Sequence, residues 1–531
     1  MNPNPNLNAT GFRSSDFSFP LLLSIAGFLI TVSFIRFLLN RPKTLDLPII
    51  EIPGSSDQRE VLVQGTAKYP NSPFIIQSHR PLVILPISVI DEVRNLPENK
   101  ASFMQDVQIS MAYKQTDIGG QGPEVNQAVK IDLTRHIAST LNDLQEEIQY
   151  GFDKEFGPCQ DWTPISVYGK MARIVALLSG RVFVGRPLSR EEEWIQATVM
   201  FTFYSIQAKD AINAYPSYLR SIVAPFVPEL RNLKKFRRRG AELLAPILEQ
   251  QLAKEHNEKI HRDDNGDEQG TMISWILKHT PKNRRSDALV LGNNQMGLSM
   301  AAIHTTSMAT TAAIYDLATY PEYIQPLRDE IQQAIDDDGQ DIDGDGIVGL
   351  KKASMPKLWK LDSFLKESQR FTPPQLLSGN RLATSDITLS TGHTLPKGTR
   401  FGFAAWAIHQ SATTPSFNPA QNPSSKPVGQ FDGLRYYNLR KIPGNENKHQ
   451  FVATSPDSLN FGHGNHACPG RFFASNEIKV VLIELLQNWE FRFKGDLEAK
   501  GGVERRPENM YLDITCAPNM QAELEFRRRK R

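Results

Sequence analysis

Cysteine is scarce in this chain: there are three in 531 residues. Cys159, Cys468 and Cys516 lie too far apart to read as a disulfide framework, and an odd count leaves at least one thiol free. The folded part is therefore expected in a reducing compartment. No C-x-x-C pair occurs, which leaves any structural zinc site short of ligands. Net charge is also small, with 60 Lys and Arg against 58 Asp and Glu, or +2. Counterion-driven binding needs a concentrated basic face, so nucleic acid is not expected as a partner. There is no Gly-rich dinucleotide fingerprint and no repeat period, which argues against a nicotinamide-binding domain and a solenoid. What remains, at 40% hydrophobic residues, is an ordinary globular composition able to bury a large core as one domain or two.

The N-terminal end differs from the rest. Residues 1–16 are rich in Asn and Pro and carry too little apolar surface to offset ordering entropy, so a disordered tail is expected. Phe17 to Ile35 is uncharged and, at about 1.5 Å per helical residue, matches the hydrocarbon core of a bilayer. A cleaved signal peptide is the rival reading, but the stretch is long for one and no small-residue cleavage pattern follows. Arg36, Arg41 and Lys43 come after it and only Arg13 before it. The positive-inside rule then predicts a single-pass signal anchor over 17–39, in the endoplasmic reticulum, with the bulk of the chain cytosolic. Asn8-Ala-Thr10 is the N-x-S/T glycosylation acceptor of the segment placed in the lumen. Prolines 42, 48 and 53 predict a stiff linker over 40–54, and residues 55–531 the folded domain.

Within that domain, Phe74–Gln77 and Leu82–Leu85 read as a strand pair, and Ser88-Val-Ile-Asp91 as a capping box. Helical patterns dominate from Glu124 to Arg239. The basic run Lys234-Lys-Phe-Arg-Arg-Arg239 reads first as a solvated helix face, with anionic lipid or an acidic partner as the alternative. Asp341-Ile-Asp-Gly-Asp-Gly346 imitates half of a calcium loop, but Lys352 stands where a bidentate Glu is needed, so calcium is not expected.

The most informative stretch is Phe461-Gly-His-Gly-Asn-His-Ala-Cys468-Pro-Gly-Arg-Phe-Phe473. Gly462, Gly464 and Gly470 permit backbone shapes closed to other residues, and Pro469 suits a first helical turn. From Phe472 to Trp489 apolar residues recur at helical spacing, which puts Cys468 at a helix N-terminus. There the free N–H groups are expected to lower the thiol pKa and make the sulfur a good metal ligand. A buried structural cysteine, or zinc held by His463, His466 and Cys468, are the other readings. Upstream, a long helical pattern from Asp287 to Tyr320 carries Ala301-Ala-Ile-His304-Thr305-Thr306 at its middle. Its small residues allow a bulky group, or equally another helix, to come close, and a threonine can bond back to an earlier carbonyl.

The order Phe461-x-x-Gly464-x-x-x-Cys468-x-Gly470 closely resembles the cysteine-ligand loop of the cytochrome P-450 family, the haem-thiolate monooxygenases. The resemblance extends over roughly residues 45–525. It implies a mainly α fold with small β-sheets around haem b, with Cys468 as the thiolate ligand whose charge favours O–O cleavage. Ala301–Thr306 resembles the family's oxygen-binding groove, which makes Thr305 the hydroxyl that organises dioxygen and its protons. His304 stands where an acid is commoner, as either a relay or a structural group. Glu367-Ser-Gln-Arg370 and Arg435, in Phe431-Asp-Gly-Leu-Arg435, resemble the buried Glu–Arg–Arg cluster, with Gly433 in place of the usual proline. Phe461 and His466 belong to the haem-facing loop. Arg381, His466 and Lys130 match positions that hold the haem propionates.

The activity implied is insertion of one oxygen atom from O2 into an apolar small molecule. Electrons come from NADPH through a separate reductase, since the chain offers no length for flavin domains. The wording of the motifs resembles fungal members that oxidise terpenoids and other secondary metabolites. A haem-thiolate isomerase or dehydratase, which needs no O2, and a non-catalytic haem sensor are the alternatives.

Overall fold

The computed structural model describes Ser24, Thr31 and residues 45–530, apart from 53–56, 79–80, 259–269, 286–287, 343–347, 419–421 and 423–425. Asn8, and all of 17–39 except Ser24 and Thr31, therefore lie outside the described residues, as does most of the calcium-like stretch. Among the described residues no helix is long and apolar enough to cross a membrane. The chain divides into two units, Met1–Asp46 and Leu47–Arg531.

The second unit is mainly helical. Seven helices position the site: α1 (Ile137–Phe156), α2 (Val167–Phe183), α3 (Glu192–Asn213), α4 (Pro228–Glu258), α5 (Ala288–Thr319), α6 (Trp359–Phe371) and α7 (Arg471–Asn488). In α1 the buried residues Leu141, Leu144, Ile148 and Phe152 recur at three- and four-residue steps, so one stripe turns inward. Helix α7 buries every residue from Glu477 to Leu486. Helix α5 likewise buries residues all round its C-terminal half, among them Ala312, Ala313, Ile314, Tyr315 and Leu317. It runs through the centre and packs against α2, α3, α4, α6 and α7. At 32 residues it is about 48 Å long.

The sheets are small. The largest has six strands in the order Ile49–Ile50, Phe74–Ile76, Leu82–Leu85, Arg400–Phe403, Ser378–Ala383 and Ala101–Ser102. Phe74–Ile76 and Leu82–Leu85 pair antiparallel, whereas Ile49–Ile50 pairs parallel at the edge although it falls in the stretch read as linker. Burial of Ile50 against Phe74 and Ile76 gives that strand its hold. The capping box does not form: residues 87–89 are a 3-10 turn without a side-chain cap. Packing of Val89, Ile90 and Val93 into the interior outweighs one exposed serine hydroxyl. The basic run divides as well. Lys234, Lys235 and Arg238 are exposed, but Arg237 turns inward to Asp117 and the Thr116 carbonyl.

Candidate active site

The cysteine loop is built from backbone bonds and two left-handed glycines. Gly462 and Gly464 have φ of +71° and +74°, which disfavours a side chain at either. A Cβ on Gly464 would also sit 2.7 Å from the Arg94 carbonyl oxygen. Cys468 N–H donates to the Phe461 carbonyl at 2.7 Å and Ala467 N–H to that of Gly464 at 3.0 Å, folding the loop back on itself. The Phe461 ring meets Phe451 edge-on at 5.2 Å. His463 is fastened on both sides: Arg94 Nη1 donates to its Nε2 at 2.8 Å, and its Nδ1 lies 3.2 Å from Thr454 Oγ1. That commits the imidazole to the loop rather than to a metal.

Two expectations about this loop need correcting. Helix α7 starts at Arg471, with Gly470 as its N-cap at φ −84°, so Pro469 precedes the helix and Gly470 is not in a glycine-only conformation. Secondly, the Cys468 thiol is raised, not lowered. Burial dominates, and the Gly470 and Arg471 N–H groups, with the Arg471 guanidinium, only partly oppose it. Desolvation of the anion outweighs the few dipoles of the helix end.

On α5, Thr305 and Ala301 lie one turn apart and are exposed, while Ile303, Thr306, Ser307 and Met308 around them are buried. Cys468 likewise keeps accessible surface although burial governs its titration. Surface kept open among buried neighbours leaves room for a group at each of the two residues. Thr305 Oγ1 donates to the Ala301 carbonyl at 2.8 Å, leaving its lone pairs toward that open surface. Burial, aided by the Lys209 cation, pushes His304 down to about 4, so its imidazole is neutral at physiological pH.

A buried acid missed by sequence reading connects the two sides. Glu477, on α7, is fully buried, and burial pushes its carboxyl up to about 8 against the opposing hydroxyls of Ser179 and Thr306. Ser179 Oγ donates to its Oε1 at 2.7 Å, while Oε2 has no hydrogen-bond partner among the described residues. The signal was present: Glu477 shares a helical face with Val481 and Leu485 at four-residue steps, an acid on an apolar stripe.

Behind the loop, the Glu367 carboxylate receives Arg370 Nε at 2.8 Å and Nη2 at 2.7 Å, Arg435 Nε at 3.2 Å and the Asp432 N–H at 2.9 Å. Arg435 also donates to the carbonyls of Lys426, Pro427 and Gln430. All three charged side chains are buried. Gly433 suits its place because a Cβ there would lie 2.7 Å from the Phe364 ring and 3.0 Å from Tyr323.

Arg381 and Lys130 both lie near His466. Arg381 is buried, and desolvation pushes it down to about 10 despite Glu98 and Asp106 nearby. Its one hydrogen bond among the described residues runs from Nη1 to the Asn380 carbonyl at 2.7 Å, leaving most of its donors uncommitted. His466 sits 3.5 Å from Glu98 and feels both Arg381 and Lys130; Lys130 itself is exposed. A buried guanidinium with spare donors, and an accessible thiol in the loop that also carries His466, fit a flat apolar group with peripheral carboxylates and a thiophilic metal. Haem fits this donor set: Cys468 would take the iron, and Arg381, His466 and Lys130 the propionates.

Comparison with known proteins agrees. The cytochrome P450 family model matches residues 164–504. Cytochrome P450 monooxygenase ascG of Acremonium egyptiacum is 50% identical over 97% of each chain. Cytochrome P450 monooxygenase BOA7 of Botryotinia fuckeliana is 42% identical over 93% of this chain and 92% of its own. A cytochrome P450 monooxygenase of Gibberella fujikuroi is 39% identical over 92% and 91%. With the cysteine loop, the central helix and the buried Glu367 cluster in one domain, the chain belongs to the cytochrome P450 family of haem-thiolate monooxygenases.

Proposed function

We propose that this protein inserts one oxygen atom from O2 into an apolar small molecule, a terpenoid or related secondary metabolite, as an anchored enzyme of the endoplasmic reticulum membrane. NADPH–cytochrome reductase supplies the electrons. The observation that supports the reading is the open surface kept by Cys468 and by Thr305 among buried neighbours, together with the underused donors of the buried Arg381.

Haem, when bound, supplies the one-electron chemistry with O2, and a thiolate ligand favours O–O cleavage. The protein supplies position and protons. The loop from Phe461 to Cys468 presents the sulfur, and the Glu367–Arg370–Arg435 cluster holds the segments behind it. Arg381 and Lys130 neutralise carboxylates that an apolar haem cleft would otherwise solvate poorly, and the His466 imidazole, held below its usual pKa by burial and the Arg381 cation, offers them a hydrogen bond. Thr305, its own proton directed to Ala301, accepts a hydrogen bond from water in the cleft and so orients that water. Glu477, protonated at neutral pH because burial disfavours its anion, is a proton source one residue along, at Thr306. His304, as a neutral imidazole, can pass a proton between its nitrogens without holding charge.

The test is turnover with purified reductase. Consumption of NADPH and O2 that depends on an apolar substrate, with product one oxygen atom heavier, is the expected result. Conversion that proceeds without NADPH or O2 would instead support the isomerase or dehydratase reading.

A further inference from the structure

Helix α6 places a second buried charge directly before Glu367. Lys366 is 4% exposed and on a helix whose neighbouring acid is already committed to two arginines. Its ammonium donates to the carbonyls of Gln450 and Ala453, both at 3.0 Å, and to Ser458 Oγ at 2.7 Å. The Tyr436 ring lies 5.3 Å away. No carboxylate reaches it within hydrogen-bond distance among the described residues. The facing acids are engaged elsewhere: Asp362 on α6 binds Lys479 and the Phe451 N–H, and Asp457 binds Ser416 and Ser455. The facing imidazoles, His409 and His449, are pushed down by burial. The acceptors of the ammonium thus all lie in 450–458, the segment entering the cysteine loop. Leu459, next in the chain, is held by His409 Nε2 at 3.1 Å and Ser378 Oγ at 2.8 Å.

We propose that Lys366 is a positioning residue whose ammonium gathers the segment 450–458 and thereby fixes where the Cys468 loop stands, so that removing the cation loosens thiolate ligation without unfolding the domain. This rests on the reading of Cys468 as the haem ligand. A buried ammonium is an expensive way to pack a core, since a hydrophobe of similar volume is often neutral or better. What the cation adds is three directed donors fixed by one point charge. Burial lowers it to about 8. The proton therefore leaves as pH rises through that value, and the directing charge goes with it.

The test compares the holoenzyme with Lys366→Met and Lys366→Arg. In Lys366→Met, the ferrous carbon-monoxide spectrum is expected to lose a large share of its red-shifted, thiolate-dependent band. Amide exchange across 450–468 should quicken roughly tenfold, while α5 and α1 keep their protection. The wild type should pass through the same spectral change between about pH 7 and pH 9, and Lys366→Arg, which keeps its charge there, should not. A Met variant with unchanged band and unchanged exchange overturns the inference. If the Met variant binds no haem, the wild-type and Arg titrations decide: a band in the wild type flat to pH 9 overturns it equally. A wild type that never shows the red-shifted band refutes Cys468 ligation itself, so the two failures are told apart.

Discussion

Arg435 Nε lies 3.2 Å from Glu367 Oε1 with both side chains fully shielded from solvent. Arg370 grips the same carboxylate with two nitrogens. One acid therefore neutralises two cations that water cannot reach. Glu367→Gln should leave both guanidinium groups uncompensated and cost about 3–5 kcal/mol, read as a lower unfolding midpoint together with lost haem content. Restoring charge balance in Glu367→Gln/Arg435→Met should recover part of that loss, because the buried cation without a partner is the larger penalty. A single Gln variant as stable and as haem-loaded as the wild type would remove the cluster from any account of the cysteine loop.

Cys468 is expected to be the iron ligand, so Cys468→Ser should abolish the red-shifted carbon-monoxide band. Cys159→Ser and Cys516→Ser should retain it. Cys159 bonds to the Phe156 carbonyl and Cys516 is buried and pushed up to about 12, so both are packed as thiols. Because burial also raises Cys468, the haem-free protein carries this group protonated at pH 7, and a thiolate ligand requires that proton to leave. Titration of haem into weakly buffered protein should release close to one proton per site in the wild type and less in Cys468→Ser. Affinity should weaken as pH falls, since protons compete with iron.

The anchor reading gives a separate test. With residues 17–39 in the membrane and positive charge on the C-terminal side, protease added to sealed microsomes should digest the catalytic domain, and Asn8 should be the lumenal acceptor if it is glycosylated. Removing residues 1–40 should release much of the protein while it still binds haem. A catalytic domain protected in sealed vesicles reverses the orientation.

How far the sequence reached depended on which force decided each feature. The cysteine loop was legible because Gly462 and Gly464 answer to local backbone geometry, with φ of +71° and +74°. Helices α5 and α7 were legible because apolar spacing is also local, and their ends fall within two residues of the expected ones. Burial of Glu367 and Arg370 was not visible in E-x-x-R itself, which on any helix reads first as a surface pair. Lys366 and Glu477 escaped for the same reason: neither a lysine nor a glutamate announces from one sequence that its partners lie 84 to 298 residues away. The thiol pKa moved against expectation because desolvation depends on everything that surrounds the loop and the helix dipole only on the turn beside it. Lys130 was placed by resemblance alone, and its exposure leaves it less committed than the buried Arg381.

Proton delivery tests the mechanism most closely. Thr305 donates to Ala301 at 2.8 Å, so its lone pairs are the part it offers to water, and removing the hydroxyl should misplace that water without disturbing the thiolate. Thr305→Ala should keep haem and substrate binding but divert electrons to hydrogen peroxide, lowering product per NADPH. A purely structural threonine predicts the reverse, less folded protein with coupling intact. Glu477 gives this a pH dependence. Folding raises its carboxyl from 4.5 to about 8, so the folded chain holds a proton there that the unfolded chain has lost, and stability falls as pH rises through that window. Coupling should fall only around pH 8, where the proton source of the folded chain ionises. Glu477→Gln should flatten both profiles, remaining poorly coupled at every pH while losing that fall in stability. His304, already neutral because burial holds it near 4, should add no inflection near pH 7, and His304→Ala should lower coupling only if the imidazole passes protons between its two nitrogens. Product, peroxide and NADPH measured on haem-normalised samples separate these cases. Unchanged coupling in both Thr305→Ala and Glu477→Gln would mean that protons reach the cleft by another route.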